Sequence, residues 1–203
     1  MAIVPVTLSG RFVRLEPLSP AHLDGLASVG LDADLWRWIP TPVTTREDMR
    51  EYIMTALREF ERGVALPFAI VHRPSGAVIG STRFANIVME HKRLEIGWTW
   101  LALAHQRTPA NTEAKLLLLT HAFDVLGVNR VELKTDVLNT RSRAAIRRLG
   151  AVEEGIFRRH VITSSGRVRD TVYYSIVDSE WPRVRDTLSN ILAVKRVWAG
   201  NAP

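Results

Sequence analysis

The 203-residue sequence contains no cysteine. That absence removes disulfides, thiolate nucleophiles and zinc–thiolate sites together, so a group transfer on this chain cannot pass through a protein thioester. No stretch approaches the roughly 20 apolar residues that span a bilayer. Residues 1–20 carry Arg11, Arg14 and Glu16 where a secretory leader needs an apolar core. A soluble cytoplasmic protein is expected. The six histidines (22, 72, 91, 105, 121, 160) include no metal-spaced pair, and no structural metal is expected. Internal repeats and low-complexity linkers are also missing. Residues 1–203 therefore read as one domain, ending in a helix and tail from about residue 180.

What is present is an ordinary globular mixture, 46% apolar and 24% charged, enough for one sizeable core. The net charge of +6 is uneven: residues 141–170 hold eight arginines against Glu153, Glu154 and Asp170, or +5. Such a patch could face nucleic acid, a phosphorylated ligand or an acidic partner, or be a solvated face. Aromatic residues are not interleaved with it as a base-stacking surface requires, so nucleic acid is not the expected partner.

The pattern alternates between strands and helices. Residues 11–15 (RFVRL) read as a first strand and residues 20–29 as a short helix ended by Gly30. The segment LWRWIP at 35–40 is a loop or broken helix. Residues 44–47 (TTRE) have the form of a capping box for a helix to about Arg62, with Met49, Ile53, Ala56, Leu57 and Phe60 on one stripe. Strands at 66–71 and 77–84 flank the turn HRPSG; RLEIGWTWL at 93–101 is a third, its Gly97 marking a bulge or a close backbone approach. A helix through LLLL to about Leu126 joins it to the strand at 130–135, so those two should be parallel with a right-handed crossover. A helix at 141–149, strands at 152–162 and 168–176 around the SSGR turn, and a last helix from Ser179 or Glu180 complete the chain. A bend at Gly97 would open a cleft between the parallel pair. The stretch HQRTPANT at 105–112 would lie at its mouth, where a helix N-terminus offers unpaired N–H groups to an anion.

Three motifs together resemble the GCN5-related N-acetyltransferase (GNAT) superfamily, and within it the RimJ/RimL-like ribosomal-protein N-acetyltransferases. They are EIGW at 95–98, QRTPANTEA at 106–114 and NTRSRAAIRRLGA at 139–151, and the likeness extends over nearly the whole chain. The resemblance implies a mixed α/β fold: a mostly antiparallel sheet with a splayed parallel pair, flanked by helices. It also implies acetyl-coenzyme A as co-substrate. Gln106, Arg107, Thr108, Ala110, Asn111 and Thr112 would cradle its diphosphate; Thr99 and Leu101 would pair their backbone with its pantetheine arm; Asn139 and Ser142 would face it across the cleft. The family loop usually reads Q-x-x-G-x-G/A, whereas Arg107, Pro109 and Asn111 stand at glycine-favoured positions here. Pro109 brings no N–H, Arg107 and Asn111 bring bulk, and Arg107 also brings charge.

Transfer to an amine needs a base, polarisation of the thioester carbonyl and a proton for the leaving thiolate. Glu95, between apolar Leu94 and Ile96, is the candidate base, with a pKa raised by partial burial; the alternative is a strand-surface ion pair with Lys92 or Arg93. Ser142 is the candidate for the thiolate, or else a helix-start residue, as Asn139 is also a candidate cap. Tyr173 and Tyr174 lie on a strand far along the chain. Trp36, Trp38 and Trp98 wall an acceptor pocket or pack in the core. Glu113 suits the helix dipole and is structural. The acceptor is a protein N-terminus or a small amine; Glu90, Glu95 and Asp136 leave a locally acidic pocket open. A homodimer is left open, as is a non-catalytic acyl-coenzyme A binding module with a degenerate loop.

Overall fold

A computed structural model describes residues 3–199. Its centre comes from three strands of the patterned middle of the sequence: β3 (Leu66–His72), β4 (Val78–Val88) and β5 (Arg93–Leu101). β1 (Leu8–Ser9) and β2 (Val13–Pro17) extend the sheet on one side, and β6 (Arg130–Asp136), β8 (Val168–Val177) and β7 (Val152–Ile162) on the other. The order is β1-β2-β3-β4-β5-β6-β8-β7, antiparallel throughout except for the parallel β5–β6 pair. The helix between those two strands accounts for the exception, because a crossover brings the chain back to the same end of the sheet.

Each face of the sheet has its own core. Leu94, Ile96 and Leu101 of β5 pack with Ala114, Leu118 and Leu119 of α4 (Pro109–Thr120) and with Trp181, Val184 and Leu188 of α6 (Trp181–Ala199). Trp100 belongs to the other core, with Leu26 of α1 (Leu23–Gly30), Trp36 of α2 (Ala33–Trp36) and Met49, Ile53 and Ala56 of α3 (Arg46–Glu61). α5 (Thr140–Arg148) covers the end of β6 and sends Ile146 into the first core. No described helix is long and apolar enough to cross a membrane.

Several local expectations shift, each for a visible reason. The first strand begins at Val13, not at residue 11, because the N–H groups of Arg11, Phe12 and Val13 are donated to the Glu113 carboxylate at 2.8, 2.6 and 2.8 Å. Glu113 is thus a clamp between α4 and β2, and Gly10 leaves it room, since a Cβ there would lie 2.3 Å from its carboxyl carbon. The capping box is one residue later than TTRE suggests: Thr45 accepts from the Asp48 N–H, and Asp48 accepts from that of Thr45. α4 stops at Thr120 and continues as one wide turn, His121–Val125, before Gly127 closes it at φ +62°.

The cleft depends on β5. It pairs with β6 only through Arg93–Arg130, Leu94–Val131 and Glu95–Glu132. On the β4 side, Ser81 faces Trp100 and Arg83 faces Gly97, so Trp98 and Thr99 together oppose Thr82. The bulge therefore falls one residue after Gly97, with Trp98 at φ +49°. Bulges bend and twist the strand that carries them. From Ile96 onward β5 leaves its parallel neighbour and its edge is open.

Candidate active site

The open edge lines a cavity of about 720 Å³, within the range typical of small-molecule sites. Ile96, Gly97, Trp98, Thr99 and Leu101 form one wall, Leu133, Lys134 and Thr135 the other. The start of α4 closes one end with Gln106, Arg107, Thr108 and Asn111, faced by Asn139, Arg141, Ser142 and Arg148 around α5. Trp38, Pro40, His160, Arg169 and Thr171 surround the other end.

The loop takes the turn a glycine would take. Arg107 is exposed and adopts φ +63°, the left-handed region that side chains disfavour. Gln106 donates its side-chain amide to the Leu101 carbonyl at 3.0 Å, tying the loop to the end of β5. Thr108 caps α4, accepting from the Ala110 N–H at 3.3 Å and donating to the His105 carbonyl at 2.7 Å. Pro109 takes the first helical position, where an N–H has no intrahelical partner in any case. Ala110 and Thr112 have buried side chains that do not line the cavity, because the helix turns that face toward the sheet core. They can offer only backbone to a ligand.

Glu95 lies at the base of the split, 2% exposed. One carboxylate oxygen accepts from Asn86 Nδ2 at 2.6 Å and from Lys134 Nζ at 2.8 Å. Its ion pair is thus with the neighbouring strand, not with Lys92 or Arg93; Arg93 instead reaches Glu132 at 3.5 Å. Both contacts fix the orientation of the carboxylate. A Cβ on Gly97 would come within 2.7 Å of the other oxygen, which explains the glycine.

Across the cavity Asn139 caps α5, its Oδ1 accepting from the Ser142 N–H at 3.0 Å, and both residues line the space. Tyr174 is fully buried, its hydroxyl accepting from Arg143 at 3.3 Å, and Tyr173 stacks on Phe157. Trp98 and Trp38 reach the cavity; Trp98 packs over the Arg83 guanidinium. Trp36 does not. It is 2% exposed, packed against Trp100 and Tyr52, with Nε1 donated to the Gly30 carbonyl at 2.7 Å. Its position on α2 turns it into the second core.

The cavity is basic, not acidic. Asp136 is fully buried and bound to Arg167 and Arg169, and Glu90 lies in a turn beyond the paired end of β5. Arg143 and Arg147 meet Glu153, so part of the arginine-rich charge is neutralised internally. Arg107, Arg141, Arg148, Arg169, Lys115 and Lys134 still line the space, against Glu95 and Asp34.

Residues 13–152 match the family model described as "Acetyltransferase (GNAT) domain", more than half of the chain. The chain belongs to the GNAT acetyltransferase family. The acetyltransferase is 30% identical to an uncharacterised N-acetyltransferase, p20, of Bacillus licheniformis over 176 residues, 86% of this chain and 98% of that one. It is 35% identical over 106 residues to YdaF of Bacillus subtilis strain 168, a protein named provisionally as a ribosomal N-acetyltransferase; the match spans 52% of this chain and 57% of YdaF. A GCN5-related N-acetyltransferase structure from Brucella melitensis superposes with a TM-score of 0.87 at 33% identity, covering 94% of this chain and 86% of that one. Mycobacterium smegmatis RimJ, solved in complex with CoA-disulfide, shares the fold at a TM-score of 0.80 and 23% identity, with 92% and 95% covered.

In this acetyltransferase the cavity also holds residues that motif reading passed over. Lys115 is 6% exposed and donates to Thr99 Oγ1 at 2.6 Å. Burial pulls its pKa from 10.5 to about 7, against the opposing pull of the Glu95 carboxylate. Its signal was available: Lys115 lies four residues after Asn111 and three before Leu118, on a helix stripe that faces inward. Asn86 and Lys134 gave no comparable signal, since their meeting with Glu95 depends on pairing across three strands.

Proposed function

We propose that the chain moves acetyl from acetyl-coenzyme A directly to a primary amine, with both substrates in the cavity and Glu95 as base. The observation that carries this reading is a buried carboxylate at the foot of an open strand edge, beneath a helix N-terminus and among basic side chains. The fit to the coenzyme rests on the same features. The first-turn amides of α4 and Arg107 suit a diphosphate. The unpaired edge at Thr99 and Leu101 suits an amide-bearing arm, and Asn139 and Ser142 face it. RimJ, of the same fold, was solved with a coenzyme A derivative, which supports the same donor here.

The bound coenzyme supplies an acyl carbon already activated as a thioester. The protein does the rest. Glu95 takes the proton of the acceptor ammonium, directly or through water, and Lys134 and Asn86 keep its carboxylate oriented. Backbone at the Trp98–Thr99 bulge is the candidate donor to the carbonyl oxygen. Trp98 and Trp38 form the apolar walls of the acceptor end, where Arg169 and Thr171 offer polar contacts. That basic end disfavours a polycation, so the acceptor is a protein N-terminal amine or a small mono-amine. YdaF's provisional name, ribosomal N-acetyltransferase, makes N-terminal peptides the first acceptors to try. Since Arg107 keeps the glycine-type turn, the departure at that position does not argue for a non-catalytic binding module. The test is thiol release from acetyl-coenzyme A over a panel of N-terminal peptides and small amines, with Glu95→Gln as control. A panel that releases no thiol with the wild-type protein would refute the reading.

A further inference from the structure

Lys115 is a cation buried in the cavity with no carboxylate within ion-pair distance among the described residues. Burying an ammonium without a counter-ion is unfavourable, and a methionine would pack the same space more stably. Its Nζ donates to Thr99 Oγ1, and Thr99 in turn lies 2.7 Å from Thr82 Oγ1. The amine is thereby fixed at the β5 bulge, on the unpaired stretch of the strand. Asn111 and Lys115 both line the cavity and stand one helical turn apart, about 6 Å along the axis. A ligand arm entering at the loop and following the β5 edge therefore passes Lys115 before it reaches Glu95. Leu94 and Ile96 face α4, so Glu95 between them faces the opposite side of the sheet. The two groups line the cavity from opposite faces of the sheet.

We infer that Lys115 is a second catalytic residue, whose ammonium gives a proton to the sulfur that leaves during transfer. This rests on the proposed acetyl transfer. The acceptor nitrogen bonds to the carbonyl carbon and the carbon–sulfur bond breaks, its electron pair going to sulfur. Sulfur takes the proton from Nζ, giving a free thiol and a neutral lysine. The proton lost by the acceptor leaves through Glu95 or water, and Lys115 is reprotonated from solvent. An amine that releases its proton near pH 7 is a stronger acid than an ordinary thiol, near 8.5, so the transfer runs downhill. Glu95 on β5 acts on that amine from the facing element; Glu113, on its own helix, is turned away to the β2 amides.

The test uses Lys115→Met and Lys115→Arg. Lys115→Met should melt no lower than wild type and bind coenzyme A comparably, yet lose about a hundredfold or more in kcat. An ultraviolet titration of enzyme-bound coenzyme A reads the thiol without any turnover. With desulfo-coenzyme A as the blank, the bound thiol should ionise at a similar pH in the wild type and in Lys115→Met, because the wild-type lysine has lost its proton before the thiol does. Lys115→Arg keeps its charge at every working pH and cannot release a proton, so it should ionise the bound thiol at a lower pH than the wild type does and still turn over slowly. Wild-type kcat in Lys115→Met, a bound thiol in Lys115→Arg that ionises no lower than in the wild type, or full activity in Lys115→Arg would each overturn the inference. If Glu95→Gln loses turnover while Lys115→Met keeps it, the acetyl-transfer reading stands and only this inference fails.

Discussion

Replacing Arg107 with glycine sets two effects of opposite sign against each other. At φ +63° a side chain costs about 1–2 kcal/mol, which glycine avoids. Glycine also adds about 0.4–1 kcal/mol of entropy to the unfolded chain. The difference favours the variant by about 1 kcal/mol or less, which for a chain of this length raises Tm by roughly 1–4 °C. Coenzyme binding should move the other way. A charged hydrogen bond to phosphate contributes about 1.5–3 kcal/mol, so its loss weakens affinity roughly tenfold to 150-fold. Because Arg107 is exposed, salt should shrink that difference. Scanning calorimetry and coenzyme A titration calorimetry at low and high salt read both effects. A variant that binds more tightly would mean that Arg107 obstructs the site, and a lower Tm would refute the backbone reasoning.

Glu113→Gln should destabilise the protein by about 3 kcal/mol or more, since three N–H groups lose a carboxylate and gain an amide that cannot accept from all of them; denaturant melts check this. Lys115→Met should show a pH-dependent stability gain. The folded-state pKa of about 7 lies below the usual 10.5, so the unfolded chain holds the proton between those values and wild-type stability climbs with pH across that window. The gain is therefore largest below about pH 7, on the order of a few kcal/mol, and fades toward about pH 10, as urea melts at several pH values would show. Gly97→Ala should lower turnover more than stability, because the added Cβ pushes the Glu95 carboxylate from Lys134 while little else is crowded; steady-state rates beside a melt separate the two.

The sequence made the fold legible where periodicity and chain geometry agree. β5 spans 93–101, as RLEIGWTWL suggests, and its parallel pairing with β6 follows from the helix between them. Gly97 inside that strand and the turn-prone HQRTPANT before a helix point to the splay and the loop, and the family motifs agree with them. What stayed hidden depends on long-range partners. Residues 11 and 12 alternate like a strand, but their amides go to Glu113, a hundred residues away. Trp36 and Trp38 look equivalent in LWRWIP, yet two residues of helix turn one into the core and leave the other at the cavity. Lys115 was visible as a lysine on an inward stripe, but a motif scan reads EAKLLLL as a plain amphipathic run. The Lys134–Glu95 contact needed the sheet order itself.

Glu95→Gln, measured side by side for coenzyme A affinity and for thiol release with a competent amine, tests the proposed chemistry most directly. The buried carboxylate acting as base requires affinity close to wild type and turnover lower by about a hundredfold to ten-thousandfold. Turnover that survives the substitution would contradict it and leave Glu95 as a structural partner of Lys134.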